Sequence, residues 1–248
     1  MNSLEKALWL INRLSDMDAP VSLSTLSKEL DMSRSGVFKI LSTLVENNFV
    51  LQDPRTKHYR LGASLLRLGF EVGHQLGIWD IAELTLRELV NMCAPSVSIG
   101  ILEGERAFLA YMLVNEKYSY YNVKQGSSYP LYASAIGKCL AAYMDDDILH
   151  GLLSRAPLEK FTDNTITDVE TLLEEYRTIR KNGYSMSYEE HRPTGAAIAA
   201  PIKIRNTVNL CLSIGGFLPD FDRQKMKHFI PILQGAARCI EEKMEYKH

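Results

Sequence analysis

The sequence holds 248 residues, 46% of them hydrophobic and 23% charged, with a formal net charge of −2. That is enough apolar matter to close a core and too much charge for a membrane protein, and no stretch approaches the roughly 18 to 20 apolar residues of a membrane span. A near-neutral total also excludes a chain-wide affinity for nucleic acid, so any such surface must be local.

The length predicts two domains. MNSLEKALWLINRLSD sets acids among its apolar residues and lacks a small-residue cleavage site, so it reads as an amphipathic helix and not a signal peptide, and a cytoplasmic protein is expected. Cys93, Cys139, Cys211 and Cys239 lie far apart in apolar stretches, without a CxxC pair or a histidine at ligand spacing. Reduced core thiols are expected, with no metal site and no cofactor.

Leu4, Ala7, Leu8, Ile11 and Leu14 recur at helical spacing over residues 4–17, and Asp16, Asp18 and Pro20 end the pattern. In PVSLSTLSKELDM, Ser22 is placed to cap a short second helix, with Val21 and Leu26 as a hydrophobic staple. Ser33 is a second N-cap, stapled by Met32 and Val37, and opens a third helix along MSRSGVFKILSTL. Val37, Ile40, Leu41, Leu44 and Val45 make its inner stripe, while Arg34, Ser35, Phe38, Lys39 and Ser42 occupy the opposite face. FVLQ and HYRL then read as two short strands around DPRTK. Helix, helix, tight turn, helix and hairpin describe a winged helix-turn-helix.

Charge supports a role for the outward face. Between Ser33 and Gly62, Arg34, Lys39, Arg55, Lys57 and Arg60 stand against Glu46 and Asp53, whereas Met1 to Met32 carries more acids than bases. The cations gather on the elements that approach a duplex in this motif. Ser35 and Gly36 are short where bases come close, Arg34 and Lys39 reach phosphates or base edges, and Ser42 lies one turn on. Phe38 can touch a thymine methyl group, Arg55 and Lys57 suit the backbone or a minor groove, and the helix N-terminus at Ser33 favours a phosphate.

Beyond the wing, residues 63–79 predict a linker helix weakened by Gly69, Gly73 and Gly77, and a longer helix from Asp80 to Met92 opens the second domain. SVSIGIL and RAFLAYML form a hairpin around Glu103, Gly104 and Glu105; YSYYNVKQG predicts a third strand and ASAIGKCLAAYM a helix. Polar, acidic sequence runs to Thr171, where LLEEYRTIRKNG gives a helix closed by Gly183. GAAIAAPIKI and NTVNLCLSIGG pair as antiparallel strands, and an amphipathic helix from FDRQKMKHFI onward ends the chain. The fold class is α+β.

Three segments resemble the IclR family of bacterial transcription regulators. The winged-helix stretch follows that family's order from SLEKALWLINRLSD to YRLG; PLYASAIGKCLAAY, GYSMSYEEHRPTGAAIAAPI and LSIGG are similar to its later motifs in the right order. The resemblance covers nearly the whole chain. It implies a winged helix-turn-helix domain at 1–62, the linker helix at 63–79, and a GAF-like effector-binding and oligomerisation domain at 80–248. It also implies a homodimer or dimer of dimers on a double-stranded DNA operator, and a small-molecule effector.

The effector would meet the backbone of Ala135, Ile136 and Gly137, and the positions Ser187, Ala197, Ser213 and Gly215. Ser187 replaces the family's acid, Ala197 its cysteine and Gly215 its second serine, so only Ser213 keeps a hydroxyl. Tyr118, Tyr120, Tyr121, Tyr129 and Tyr132 fall where strand and loop would wall the pocket. Fewer polar groups and more aromatic surface suit an apolar or aromatic effector with a carboxylate, although the tyrosines also fit a sheet face or subunit interface.

Glu189, Glu190 and His191 invite an acid/base reading, but neighbours along a strand point to opposite faces and would not converge. No GxSxG elbow, Walker loop or GxGxxG after a strand is present, so no catalytic residues are assigned. The sequence therefore predicts a DNA-binding regulator modulated by an effector, and not an enzyme. The alternative is a ligand sensor whose winged helix serves mainly in dimerisation.

Overall fold

The computed structural model describes residues 1–75, 77, 82–92, 94–118, 123–205 and 207–245. Asp80, Cys93, Tyr120 and Tyr121, all singled out in the sequence, lie outside them. The chain divides into two compact units, Met1–Leu76 and Gly77–His248.

The first unit runs α1 (Ser3–Ser15), α2 (Leu23–Glu29), α3 (Arg34–Glu46), β1 (Val50–Gln52), β2 (Tyr59–Leu61) and α4 (Ala63–Gln75). Ser22 and Ser33 cap α2 and α3, accepting from the Thr25 and Gly36 amides. Leu10, Leu14, Val21, Leu26, Val37, Leu41, Val50 and Tyr59 form its core, so α3 contributes the two most inward residues of its predicted stripe while Ile40, Leu44 and Val45 pack at the margin. β1 and β2 pair from Val50–Leu61 to Gln52–Tyr59, and a bridge from Val21 to Tyr59 ties the hairpin to the entry of α2. Replacing Ser33 by Ala is expected to cost about 1 kcal/mol, and by Gly only a few tenths, because the cap satisfies an orphan amide; urea unfolding of the first unit measures both.

The second unit contains α5 (Glu83–Asn91), β3 (Ser96–Glu103), β4 (Arg106–Val114), β5 (Ser128–Tyr129), α6 (Ala135–Ala141), α7 (Asp146–Leu153), α8 (Val169–Asn182), β6 (Ser185–Tyr188), β7 (Gly195–Ile204), β8 (Thr207–Phe217) and α9 (Arg223–Glu245). Its antiparallel sheet has the order β5-β4-β3-β8-β7-β6. Ala199 and Cys211 join the core formed with α6, α7 and α8, and the alternate residues Ile198, Ala200, Leu212 and Ile214 are buried on the other face, where α9 packs along β7 and β8.

The strand expected from YSYYNVKQG lies in large part outside the described residues; among those described, Glu116–Tyr118 is a single 3-10 turn and the strand beside β4 is the two-residue β5. Two expectations need correction. The acidic stretch before Thr171 is not irregular throughout, since Asp145 caps the eight-residue α7, too short for its periodicity to stand out. Residues 189 to 191 do not sit on a strand, because β6 ends at Tyr188 and Glu189 has a positive φ of 56° in the turn that follows.

Gly100 permits the close seating of α6 on the sheet. A Cβ there would lie 2.4 Å from the Ile136 side chain and 2.7 Å from Cys211 Sγ, so only hydrogen leaves room for Ile136 to descend between β3 and β8.

Candidate functional site

The outer side of α3 exposes Arg34, Ser35, Phe38 and Lys39. Arg34 Nη2 donates to Ser24 Oγ at 3.0 Å, which holds the guanidinium across the start of α2 and α3. Ser42 is half-buried and donates to the Phe38 carbonyl at 2.9 Å, so only its lone pairs remain for a partner. Ser33 Oγ, 3.2 Å from the Gly36 amide, is occupied with capping, and Gly36 lets Met32 pack close beside it. In the hairpin, Asp53 Oδ1 accepts the Arg55 and Thr56 amides at 2.8 Å each, and Lys57 takes φ of 59°. This tight turn leaves Arg55 and Lys57 exposed at its tip. The nine predicted DNA-contact residues thus fall on one helix and one hairpin tip of the same unit.

In the second unit a cavity of about 650 Å³, its open mouth included, lies between the sheet and the start of α6. Tyr129, Ala135, Ile136, Ser187, Ala197, Ser213 and Gly215 line it as expected from the sequence. Gly137 does not. Its amide donates to Ser134 Oγ at 2.9 Å, and a Cβ there would stand 2.0 Å from the Pro130 carbonyl, so this glycine serves the close packing of α6 on its own entry loop. Tyr132 turns away from the cavity: its hydroxyl donates to Glu159 O at 3.1 Å and its ring stacks on Phe161.

Several lining residues escaped the sequence reading. Ser96 and Ser98 alternate along β3 and come beside Gly215 and Ser213 of β8 through strand register. Their period-two spacing in an apolar strand was the available signal. Leu109, Met112 and Phe217 add apolar wall, and His191 and Arg192 enter from the turn after β6. The hydroxyl protons are largely spent on the backbone: Ser96 donates to Gly215 O, Ser134 to Pro130 O, Ser187 to Ala133 O and Ser213 to Ile198 O. These four hydroxyls are therefore poor donors to an anion.

Beside the cavity, Lys138 of α6 is 1% exposed, and its ammonium donates to Glu175 at 2.6 Å and to both oxygens of Glu190 at 2.8 and 2.6 Å. Glu190 thus points inward to Lys138, while His191 meets Tyr129 and Phe161 edge-on at 5.6 and 4.9 Å between ring centres. The paired carboxylates do not converge on one atom, because Glu189 instead accepts the Thr194 amide at 2.9 Å. Among the described residues no group of three or more His, Cys, Asp or Glu is arranged to hold a metal, and no helix is long and apolar enough to cross a membrane.

Residues 70–242 match the family described as bacterial transcriptional regulator IclR C-terminal, and residues 3–54 match the IclR helix-turn-helix domain. The chain belongs to the IclR family. The HTH-type transcriptional regulator KdgR of Escherichia coli is 27% identical over 99% of this chain and 94% of its own. The crystal structure of IclR from Thermotoga maritima superposes with a TM-score of 0.74 at 28% identity, over 99% of this chain and 100% of the other. An IclR homolog from Microbacterium hydrocarbonoxydans, crystallised with 4-hydroxybenzoate, shares the fold with a TM-score of 0.82 at 20% identity, covering 97% and 98%.

This IclR-family protein is accordingly a DNA-binding transcription regulator and not an enzyme, with a winged helix-turn-helix unit and an α+β unit. Burial, reinforced by the neighbouring Arg192 charge, holds the His191 imidazole below its usual pKa of 6.5. The unfolded chain therefore takes up this proton first as pH falls. The stability from neutral His191 is fully present above pH 6.5 and is lost as pH drops through the lower folded value. Replacing His191 by Gln is expected to flatten the pH dependence of unfolding free energy between pH 6.5 and 5, read from urea midpoints across that range.

Proposed function

We propose that this regulator binds a palindromic operator as a homodimer or dimer of dimers, acting on DNA in the cytoplasm, and that an organic acid with an apolar or aromatic body binds in the cavity and alters operator affinity. The carrying observation is the outer face of α3, exposed and cationic and flanked by the basic hairpin tip, on a helix whose other face builds the core. A helix used only for packing or dimerisation has no need of cations gathered on that side. The exposed Leu66, Leu68 and Val72 of α4 support pairing of two copies through this helix. Two such units would enter neighbouring major grooves, and a ligand moves the equilibrium only by binding the competent and incompetent arrangements unequally.

The cavity supports the effector class by its composition. Leu109, Met112, Val123 and Phe217 offer apolar wall, Tyr129 an aromatic edge, and the Ala135 and Ile136 backbone a polar patch at the inner end. The test is a mobility shift with DNA flanking the protein's own gene, against random competitor, with and without aromatic and aliphatic acids. Retention of one fragment, weakened steeply by salt and changed by an acid, is expected. No preference for any fragment, with or without the acids, overturns the proposal and leaves a winged helix used in dimerisation.

A further inference from the structure

We infer that Phe38 selects a thymine in the operator: its ring packs on the 5-methyl group of a thymine base in each half-site, so that α3 reads this position by carbon contact and not by hydrogen bonds. This rests on the docking of α3 in the major groove proposed above and names a base that the helix requires.

Helical spacing puts the ring at the centre of the docking face. Ser35, Phe38, Lys39 and Ser42 lie three and four residues apart, so they share one stripe of α3. The other large apolar side chains of the helix turn away from it: Val37 and Leu41 are 0% exposed, and Ile40, Leu44 and Val45 pack against the same core. Phe38 is 51% exposed and stands between the short side chains of Ser35 and Ser42, which makes it the longest apolar reach of the stripe.

Hydrogen bonding sets what the stripe can read. The Ser42 hydroxyl donates to the Phe38 carbonyl at 2.9 Å and the Thr43 hydroxyl to the Lys39 carbonyl at 3.3 Å, each four residues back along the helix. In the first turn, Arg34 donates to Ser24, and Ser35 Oγ lies 3.3 Å from the capping Ser33 Oγ. Past that turn, Lys39 alone of the stripe keeps donors for a base or a phosphate. A base edge lying against Phe38 therefore meets carbon. In the major groove the carbon group that marks one base from the others is the thymine methyl.

Charge names the occupant of the face. Arg34 and Lys39 are exposed beside the ring, and Glu46, the only acid of α3, is its last residue. Arg55 and Lys57 are exposed at the hairpin tip of the same unit. A polyanion covers this face without leaving its cations unpaired, and closing the ring onto a methyl group removes apolar surface of both from water.

The experiment is an anisotropy titration of the full-length protein on the DNA fragment flanking its own gene, made once with thymidine and once with deoxyuridine at every thymidine, an exchange that deletes only the methyl groups. Wild type is expected to bind the deoxyuridine duplex at least about fourfold more weakly, the scale of one buried methyl group. Phe38→Ala should bind the thymidine duplex correspondingly weakly and tell the two duplexes apart by less than about twofold, while Phe38→Leu keeps part of the preference. Exchanging thymidines one at a time should confine the wild-type loss to one position in each half-site. The wild-type comparison stands whether or not a variant folds. Equal binding of both duplexes by wild type overturns the assignment, as does a preference that persists undiminished in Phe38→Ala. Weakening of Phe38→Ala by the same factor on both duplexes, with the wild-type preference retained in it, overturns it in favour of a ring wedged between base steps. Unchanged affinity in Lys39→Ala, or no retention of the fragment over random competitor, overturns the docking of α3 and this inference with it.

Discussion

Lys138→Met is expected to destabilise the second unit by about 3 to 5 kcal/mol, the cost of leaving a buried carboxylate without its cation. The ammonium is 1% exposed and the Glu190 side chain 12%, so water cannot replace the lost partner, whereas Glu175 at 27% can rehydrate. Adding Glu190→Gln to Lys138→Met should recover much of the loss, since removing both charges also removes both desolvation costs. The pH dependence has a defined sign. Burial already raises the Glu190 pKa above 4.5 against the pull of Lys138, and without the lysine it rises further. A carboxyl whose folded pKa lies above its unfolded one gives stability that is complete below the unfolded value and is lost as pH rises through the folded one. The defect of Lys138→Met should therefore be largest near pH 8 and shrink toward pH 4.5. Urea unfolding of wild type, single and double variants at those two pH values measures it. A defect independent of pH, or no recovery in the double variant, contradicts the account.

Lys39→Ala is expected to weaken operator binding by about 1 to 3 kcal/mol, or roughly 5- to 150-fold, and to lower the slope of log affinity against log salt by about one. Lys39 is exposed, and among the described residues it has no ion pair, so the urea midpoint of the first unit should stay within the small range usual for surface substitutions. Arg34→Ala tests the same face differently. Its guanidinium spans to Ser24, so its loss disturbs the start of α2 as well as removing a DNA contact. Fluorescence anisotropy on the protein's own operator at several salt concentrations, run beside the unfolding curves, separates binding from stability. Unchanged affinity for Lys39→Ala at moderate salt would contradict docking through this face.

The two units differ in how far the sequence reveals them. The first is built from local signals: Ser22 and Ser33 cap the helices they precede, Val37 and Leu41 recur at helical spacing, and Asp53 turns the hairpin through amides two and three residues away. Caps, periods and turns act within a few residues of the chain, so the winged helix and its cationic face follow from reading along it. The short α7 was missed because eight residues scarcely exceed two turns.

What the sequence by itself determined is the order of the elements apart from α7 and β5, the inner and outer faces of α3, and, through recognisable motifs, six of the described cavity residues. Only the tertiary structure decided that Lys138 is buried, since its partners Glu175 and Glu190 lie 37 and 52 residues away. It likewise set Ser96 and Ser98 beside Ser213 and Gly215, and turned Glu190 inward while leaving Arg192 at the mouth. These relations depend on strand register and on the path of a turn, which pair residues far apart in the chain and leave no period in the sequence between them.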